Sequence, residues 1–319
     1  MGVLHLTEDE VRQLIDMPSS IAVVEEAFRQ LAMGKAANVP RARVGAPGIM
    51  LHTMSASAEY LGLVGWKNYT TTKLAMKFHV AVYNNQTGSM VALIEANWLG
   101  QLRTGAATGV ATKYLANPDA ATVGLIGTGL QARTQLMAVA AVRQIRRAEV
   151  FSRDAARRTV FAAELRELCG IDVVPVESAQ QAVSQKDVVI TATYSKLPVF
   201  AGQDLAAGCH VNAIGCNYWT KTEIDVETVK RSDAIVCDSI EACRVEAGDF
   251  AAALQAGVTS WDVMRELSQV VTGQVAGRSS RDEITLFKSV GLALEDVAMA
   301  GELIRRATEQ GAGRVVDWL

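Results

Sequence analysis

The sequence has no apolar run of the ~18 residues needed to span a bilayer, few cysteines and no basic stripe. Its five cysteines are odd in number and include no Cys-x-x-Cys pair, which argues against a disulfide framework and against a zinc site. The lysines and arginines are scattered and the formal net charge is −3, so no nucleic-acid partner is expected. Residues 1–10 are acidic and lack a signal-peptide core. These absences favour a cytoplasmic protein without membrane association or bound metal.

The composition is that of a globular protein. Half of the 319 residues are hydrophobic and 20% are charged, and the length predicts two domains or one large one. Thr7 and Glu10 form a capping-box pattern that predicts a first helix, and Ser20 is the expected N-cap of a second helix ending at Gly34. Period-two patterns then predict strands, with a turn at 84–88 between the last two, before a helix over 99–115. The predicted strands cover 49–55, 61–69, 75–83 and 89–95.

A glycine-rich turn lies at the centre of the chain. The apolar run Val123 to Ile126 is short enough for a buried strand, and Gly127, Gly129 and Ala132 follow at G-x-G-x-x-A spacing before a helical segment. Gly127 permits a tight turn, and Gly129 lets backbone N–H groups approach a pyrophosphate at the helix N-terminus. The pattern and its strand–turn–helix context together predict a dinucleotide site; the alternative is an ordinary glycine-rich turn.

From Ala121 onward, strand-like apolar runs alternate with helical segments. This alternation predicts a parallel sheet with helices on both faces, so the predicted fold class is α/β with a Rossmann-type doubly wound sheet. Pro118 marks the expected domain border, and Asp282–Thr308 is expected to be mainly helical. The predicted strands of this part cover 122–127, 148–152, 172–176, 188–192, 210–215 and 234–238.

Three cations precede the glycine-rich turn. Lys67 lies on an apolar strand, where a buried ammonium is costly without an anionic partner. Together with Arg43 and Arg103 it could hold a substrate carboxylate, which arginine binds in a bidentate manner. The alternative is that these are solvated or structurally paired charges.

Seven segments along the chain match one known family: 40–43, 51–54, 65–67, 103–104, 127–132, 223–225 and 285–293. Through them nearly the whole chain resembles the ornithine cyclodeaminase and mu-crystallin family, which includes archaeal-type alanine dehydrogenases and ketimine reductases. The matching segments occur in family order with family-like spacing, so their combination is specific although each alone is not. The resemblance favours Arg43, Lys67 and Arg103 as the carboxylate site, with Arg41 as a close alternative to Arg43.

The resemblance also implies a domain organisation. An α/β domain made from both chain ends, residues 1–117 completed by 290–319, would bind substrate and form a homodimer. A dinucleotide-binding Rossmann domain would occupy residues 118–289.

One position departs from the family pattern. Ornithine cyclodeaminases and their alanine dehydrogenase relatives carry an Asp four residues before the Lys of a Gly-Lys-Thr-Glu-like segment. Here that segment is Thr220–Glu223, and Asn217 stands four residues before Lys221. An amide can orient a substrate nitrogen but cannot take a proton at neutral pH, which puts ornithine cyclodeamination in doubt. Reduction of a preformed C=N bond depends less on an acid–base group at this position, because the hydride comes from the cofactor and the proton can come from Lys67 or water.

The end of the predicted strand 148–152 bears on cofactor choice. NAD sites usually place an acidic residue there to accept the ribose 2′-hydroxyl, whereas Ser152 and Arg153 stand here. Arg153 suits a 2′-phosphate, so NADP(H) is favoured and NAD(H) remains possible; Asp154 blurs the signal.

The remaining site predictions follow from family position. Lys77 could face the pocket and favour a second carboxylate, or it could be a solvent-facing strand lysine. The other residues are predicted to contact or flank the cofactor: Thr104, Leu130, Gln131, Thr191, Ala192, Thr193, Ser289 and Gly291.

The sequence therefore predicts an NAD(P)H-dependent reductase of a small imine or ketimine that carries an adjacent carboxylate, with amino-acid oxidation as the reverse reaction. Lys67 would polarise or protonate the substrate, and Asn217 would orient its nitrogen. Two alternatives stay open: a cyclodeaminase-type lyase that recycles bound NAD, and a non-catalytic protein that binds nucleotide and a carboxylate ligand.

Overall fold

The computed structural model describes residues 2–317, which form strands and helices in nearly regular alternation over the second half of the chain. The strands are β1 (Val3–Leu6), β2 (Ala36–Ala46), β3 (Ile49–Ala58), β4 (Leu63–Thr72), β5 (Met76–Asn84), β6 (Met90–Glu95), β7 (Thr122–Ile126), β8 (Arg147–Phe151), β9 (Asp172–Pro175), β10 (Val188–Thr191), β11 (His210–Ala213), β12 (Ala234–Cys237), β13 (Arg265–Glu266), β14 (Thr285–Lys288) and β15 (Arg314–Val316).

The helices connect these strands and cover the sheets. They are α1 (Glu8–Leu14), α2 (Met17–Ala32), α3 (Asn97–Leu115), α4 (Leu130–Val142), α5 (Ala155–Cys169), α6 (Ala179–Val183), α7 (Val226–Arg231), α8 (Ile240–Glu246), α9 (Ala251–Gln255), α10 (Leu267–Val271) and α11 (Ala293–Gln310). Within the described part of the chain, no helix is both long and apolar enough to cross a membrane.

The chain divides into two compact units. Unit 1 contains the residues up to Thr104 and those from Gly291 onward, and unit 2 contains Gly105–Val290. The border therefore lies inside α3, whereas the sequence placed it at Pro118. A single uninterrupted helix carries the chain from one unit into the other.

Unit 1 is built on a seven-stranded sheet in the order β15-β1-β6-β5-β4-β3-β2. Neighbouring strands are antiparallel except for the parallel pair β1 and β6. Helix α11 packs on one face: a Cβ on Gly65 of β4 would approach a methyl group of Val297 at 3.1 Å. We call this the inner face of the sheet and the opposite one the outer face.

The N-terminal helices confirm one predicted cap and correct another. Thr7 and Glu10 form the capping box at the start of α1. Helix α2, however, begins after Asp16, whose Oδ1 accepts the Ser19 N–H at 2.9 Å; the predicted cap, Ser20, instead donates its hydroxyl to the Asp16 carbonyl. Aspartate competes well with serine as an N-cap, and Pro18 is acceptable in the first helical turn.

Unit 2 contains an eight-stranded parallel sheet in the order β13-β12-β14-β11-β10-β7-β8-β9, which confirms the predicted α/β class. The expectation that 282–308 is mainly helical was wrong at its start: β14 is a fully buried strand between β11 and β12, and α11 begins only at Ala293. A four-residue apolar run has too little periodicity to distinguish a buried strand from a helix.

Candidate functional site

A bulge in β2 decides which arginines face the inner side of unit 1. The register with β3 shifts by one residue between Val39 and Ala42, so Arg43 lies opposite His52, on the inner face. A regular β2 would have placed Arg43 on the same face as Val39, since a one-residue slip moves each following side chain to the other face. Arg41, at the bulge, is also buried, and its Nε donates to Met54 Sδ at 3.2 Å.

Lys67 lies on the same inner face, opposite Met54 on one neighbouring strand and Val80 on the other. Its side chain is only 2% exposed. Its ammonium is near α3, because a Cβ on Gly100 would come within 3.0 Å of Lys67 Nζ. Glycine at that position leaves room for the ammonium.

Two acids at the start of α11 bind these cations. Lys67 Nζ lies 2.7 Å from Asp296 Oδ1, and Arg103 Nη1 lies 2.8 Å from Glu295 Oε2. Arg103 Nε is also 3.4 Å from Asp296 Oδ1, so Asp296 links Lys67 to Arg103. All four side chains are at least nine-tenths buried, which is tolerable because each charge has an opposite partner.

The sequence analysis missed both acids. Glu295 and Asp296 were placed inside the predicted helical segment 282–308 and were given no role of their own. A signal was nevertheless present. The surrounding run, Gly291 to Gly301, is made almost entirely of small and apolar residues, so two buried carboxylates there require cations nearby.

Burial and the neighbouring charges set the protonation of the two cations. Burial, followed by the Arg103 charge, lowers the pKa of Lys67 to about 8, while Asp296 opposes that shift. Burial also disfavours charge on Arg103, but Asp296 and Glu295 outweigh it and raise the pKa of the guanidinium. Arg103 is therefore permanently charged, whereas Lys67 can release a proton slightly above neutral pH.

An aromatic row borders this cluster on the inner face. His52 stacks on Tyr69 with ring centroids 4.0 Å apart, and the Arg41 guanidinium lies 5.9 Å from the Tyr69 ring. Burial, then Arg43 and Arg41, lowers the pKa of His52 to about 4. His52 is therefore neutral at neutral pH, and the positive charge of this face comes from the arginines and Lys67.

The structure does not bring Lys77 to the cluster. Lys77 lies opposite Thr70 in the β4–β5 register, whereas the inner row at this level pairs Tyr69 with Phe78. Its side chain is exposed on the outer face. The prediction that Lys77 faces the pocket is therefore corrected to the alternative of a solvent-facing strand lysine.

Three residues predicted beside the cofactor have other neighbours. Gly291, with φ +83°, lies against Arg103, because a Cβ there would meet Nη1 at 2.5 Å. Thr104 donates its hydroxyl to the Gly100 carbonyl at 2.8 Å within α3. Ser289 is buried and donates to Asp238 Oδ2 at 2.8 Å. These contacts give each residue a structural role that the motif match did not predict.

In unit 2 the glycine-rich turn has the geometry of a phosphate-binding turn. Gly127 has φ +115°, and a Cβ there would meet the Ala192 carbonyl at 2.4 Å, so only glycine fits. Gly129 is the N-cap of α4, and a Cβ there would find no heavy atom within 4 Å, which leaves space for a ligand. Ala132 is fully buried. Leu130 and Gln131, in the first turn of α4, are exposed and half-buried respectively.

A cavity of about 430 Å³ opens beside this turn. It is bordered by the turn itself, by Arg133 on α4 and by Arg157 on α5. Arg157 and the N-terminus of α4 are suited to phosphate groups, whereas Arg133 is paired at 2.6 Å with Glu164, which also borders the cavity. The backbone N–H groups of Thr128 to Gln131, at the start of α4, could hold a pyrophosphate there.

The end of β8 leads into an N-cap. Asp154 caps α5, its Oδ1 accepting the Arg157 N–H at 2.9 Å, and the Ser152 hydroxyl donates to the Asp154 carbonyl at 3.1 Å. Arg153 is exposed. The Asp154 carboxylate, which complicated the choice between NADP(H) and NAD(H), therefore caps a helix.

The carboxyl ends of β10 and β11 carry the remaining candidates. Thr191 is buried, Ala192 is 8% exposed, and Thr193 and Asn217 are half-buried. The Thr191 hydroxyl and the Thr193 N–H both donate to Glu223, a fully buried residue that the sequence analysis used only as a family match. Among the described residues no group of His, Cys, Asp and Glu side chains has the arrangement of a metal site.

Comparison with known proteins gives similar enzymes along the full chain. The Δ1-pyrroline-2-carboxylate reductase of Bacillus cereus is 32% identical, over 99% of this chain and 100% of that protein. The structure of the Thermococcus litoralis Δ1-pyrroline-2-carboxylate reductase, in complex with NADH and L-proline, is 35% identical with a TM-score of 0.94, covering 98% of this chain and 99% of that one. An archaeal alanine dehydrogenase dimer with bound NAD is 32% identical with a TM-score of 0.94, covering 100% of both chains.

The family model described as the ornithine cyclodeaminase/mu-crystallin family matches residues 3–311. The match includes the strands and helices that carry Lys67, Arg103, the glycine-rich turn and Asp296. The chain belongs to the ornithine cyclodeaminase/mu-crystallin family.

Proposed function

We propose that this protein is an NAD(P)H-dependent reductase of a small imine or ketimine with a carboxylate next to the C=N bond, and that it oxidises the corresponding amino acid in reverse. The observation that carries the proposal is the buried set of Lys67, Arg103 and Asp296 on the inner face of unit 1. Relatives similar over the full chain include Δ1-pyrroline-2-carboxylate reductases, which supports a cyclic imino acid as the substrate class.

The charges of the inner face suit a carboxylate. Lys67, Arg103, Arg41 and Arg43 are the cations on or beside the inner face, and Asp296 and Glu295 hold Lys67 and Arg103 in place. A substrate carboxylate would pair with these cations inside a buried environment, where charge pairing is stronger than in water. The contacts of Arg103 to two acids fix its guanidinium in place before the substrate arrives, which lowers the entropy cost of binding.

Lys67 is the proposed proton donor. A bound nicotinamide supplies the hydride, and the imine nitrogen needs a proton in the same reaction. A group with a pKa of about 8 is protonated at neutral pH and still releases its proton readily. Asp296, in contact with Lys67 Nζ, would hold the ammonium in position and stabilise its charged form.

Unit 2 is the proposed cofactor domain, with the pyrophosphate at Gly129 to Ala132 and the nicotinamide half at the ends of β10 and β11, near Thr191 to Thr193. In doubly wound sheets a dinucleotide binds at the carboxyl ends of the strands, where the strand order reverses; here that point lies between β7 and β10.

We propose a preference for NADP(H), because Arg153 is exposed and the Asp154 carboxylate is engaged in its helix cap. Two similar solved proteins carry NADH or NAD, so NAD(H) is the competing cofactor.

Asn217 is proposed to orient the substrate nitrogen. Its neutral amide argues against a cyclodeaminase-type reaction, because a positioned acid–base group typically contributes about 10²–10⁴ in rate. Net consumption of reduced cofactor separates the two reactions, since a lyase regenerates its NAD.

We also propose a homodimer formed through the outer face of the unit 1 sheet. This face exposes apolar side chains on β2, β3 and β4, namely Val39, Val44, Ile49, Leu51 and Val64. Exposed apolar patches of this kind mark association surfaces. A similar archaeal alanine dehydrogenase is a dimer, which supports this reading.

The proposed activity is tested with a panel of imines followed by loss of NADPH or NADH absorbance. The panel contains Δ1-pyrroline-2-carboxylate, Δ1-piperideine-2-carboxylate, and pyruvate or oxaloacetate with ammonia or methylamine. Reduction of a carboxylate-bearing imine, together with no reduction of the same ring without its carboxylate, is the expected result. Turnover of ornithine to proline with catalytic NAD would instead identify a lyase.

A further inference from the structure

A single buried carboxylate ties together two loops of unit 2. Glu223 Oε1 accepts the Thr193 N–H at 2.5 Å, and Oε2 accepts the Gly215 N–H at 2.6 Å and the Thr191 hydroxyl at 3.1 Å. Glu223 is completely buried. Thr191 and Thr193 belong to the segment that follows β10, and Gly215 belongs to the segment that follows β11.

The two segments also touch directly. A Cβ on Gly215 would lie 2.3 Å from both the N and O atoms of Thr193, so the backbones approach as closely as glycine permits. The segment after Gly215 is held a second time, because Lys288 Nζ donates to the Cys216 carbonyl at 2.6 Å. Asn217, the next residue, therefore follows two consecutive residues whose backbone is held by buried charged groups, Gly215 by Glu223 and Cys216 by Lys288.

These segments lie where the nicotinamide half of a dinucleotide is expected. The cofactor crosses the carboxyl ends of the strands at the order reversal, with its adenosine half over β7 to β9 and its other half over β10 and β11. Glu223 does not line that surface, since it is buried beneath it. It can act there only through the backbone that it holds.

We propose that Glu223 is a positioning residue that sets the arrangement of the Thr191–Thr193 and Gly215–Asn217 segments and so forms the nicotinamide half of the cofactor site. The inference rests on the proposed dinucleotide cofactor. Hydride transfer depends on placement to within about 1 Å, and a misplacement of that size can cost about 10²-fold in rate. A group that fixes both segments therefore affects catalysis without touching a reactant.

The charges around Glu223 give the proposal a pH-dependent readout. Burial and the Asp249 carboxylate raise the pKa of Glu223 to about 6, while Lys288 and the hydrogen bond from Thr193 oppose the shift. The Cys216 thiol also lies near Glu223, and burial raises the pKa of that thiol to about 11, so it stays neutral. Below about pH 6 Glu223 becomes protonated and loses part of its acceptor capacity for the two segments.

Binding of two ligands tests the proposal without any assumption about the substrate. ADP-ribose contains the adenosine and pyrophosphate groups but no nicotinamide, whereas NADH contains all three. In Glu223→Gln we expect NADH to bind about tenfold more weakly, as for loss of one or two net hydrogen bonds, and ADP-ribose to bind as it does to the unmodified protein. Gly215→Ala, which forces the two backbones apart, should show the same selective loss.

Glu227→Gln is the matched control, because it removes a half-buried carboxylate on the same stretch that lies 3.9 Å from Lys230. Its NADH and ADP-ribose affinities should be unchanged.

The NADH affinity of the unmodified protein should also fall as pH drops through about 6, and this dependence should disappear in Glu223→Gln. Protonation of Glu223 does not itself unfold the protein, so the loss of NADH affinity at low pH would not reflect unfolding caused by this residue. The pKa of Glu223 in the folded protein lies above the usual 4.5, so the folded chain binds this proton more tightly than the unfolded chain does.

Equal NADH affinity in Glu223→Gln and the unmodified protein would overturn the proposal. An equal loss of NADH and ADP-ribose binding would also overturn it, because Glu223 would then serve only the fold of unit 2. Failure of the unmodified protein to bind NADH or NADPH would instead contradict the proposed function itself.

Discussion

Lys67 is the residue on which the proposed chemistry depends most. Its ammonium is buried, contacts Asp296 at 2.7 Å and has a pKa lowered to about 8. The protonated form is the acid that an imine nitrogen needs, and it predominates below that pKa. Imine reduction should therefore decline as the pH rises through about 8.

The first prediction concerns this decline of kcat/KM at alkaline pH, which we call the basic limb of the pH profile. Since Asp296 raises the pKa of Lys67, Asp296→Asn should shift the alkaline decline of kcat/KM to lower pH. Lys67→Met should reduce kcat/KM by about 10²-fold or more. Lys77→Met, on the outer face of the same sheet, should leave the profile unchanged. The test is kcat/KM for imine reduction measured from about pH 6 to about pH 10 in each of these proteins. A limb that stays at the same pH in Asp296→Asn would show that Lys67 is not the group that titrates.

The second prediction concerns Arg153 and the choice of cofactor. A charge-assisted hydrogen bond to a 2′-phosphate is worth about 1.5–3 kcal/mol, or about one to two decades in affinity. Arg153→Ala should therefore weaken NADPH binding by that factor and leave NADH binding unchanged. Arg147→Ala is a suitable control, because Arg147 is an exposed arginine at the opposite end of β8, paired with Glu149 and Asp172. An unmodified protein that prefers NADH would remove the basis for this role of Arg153.

At the scale of elements, the connection between β14 and α11 brings the acids to the cations. Gly291 has φ +83°, and α11 then begins with Ala293, so Glu295 and Asp296 lie in its first turn. The absence of a Cβ at Gly291 leaves room for the Arg103 guanidinium.

The third prediction follows from this packing. Gly291→Ala should displace Arg103 and raise KM for the imine about tenfold or more, while ADP-ribose affinity stays unchanged. Part of the effect is a backbone cost of about 1–2 kcal/mol for a left-handed alanine. Gly48→Ala controls for that part, since Gly48 has φ +85° with no heavy atom within 4 Å of its Cβ position. If both variants raise KM equally, the contact with Arg103 is not what matters.

The sequence was most informative where local patterns determine structure. The capping box at Thr7, the hairpin turn after β5 and the strand–turn–helix around Gly127 depend on residues close together in the chain, and each was predicted. Strand β14 was not, because its four residues are buried on both sides by tertiary packing and show no periodicity. Strand β15 is a short edge strand, and β1 is a short strand between β15 and β6; their pairing joins segments near the two ends of the chain, which no local pattern predicts.

The candidate site was predicted only in part, for a related reason. Lys67 stands out because a cation in an apolar strand needs an explanation, and the family resemblance added Arg103. Their partners Asp296 and Glu295 lie about two hundred residues later, and no local pattern links them. The side that Arg43 faces depends on the β2 bulge, and the role of Glu223 depends on two loops that meet only in the folded chain.

At the scale of the whole molecule, the outer face of unit 1 is the proposed dimer surface, and the fourth prediction tests it. Leu51→Glu should raise the dimer dissociation constant at least about tenfold, since a charge in an apolar interface costs more than about 1.4 kcal/mol. Leu168→Glu, at an exposed leucine on α5 of unit 2, should have no such effect. Light scattering after size exclusion, over a range of concentrations, measures both. A monomer at all concentrations of the unmodified protein would contradict the proposed assembly.

The most direct test of the account is the reduction of Δ1-pyrroline-2-carboxylate, followed by loss of NADPH and NADH absorbance, in the unmodified protein, Lys67→Met and Arg103→Ala. The account predicts stoichiometric conversion to proline by the unmodified protein. It also predicts a fall in kcat/KM of about 10²-fold or more in both variants, with cofactor affinity retained, because the cations of unit 1 bind and protonate the imino acid. Wild-type kcat/KM in both variants, or no cofactor consumption with any carboxylate-bearing imine, would contradict it.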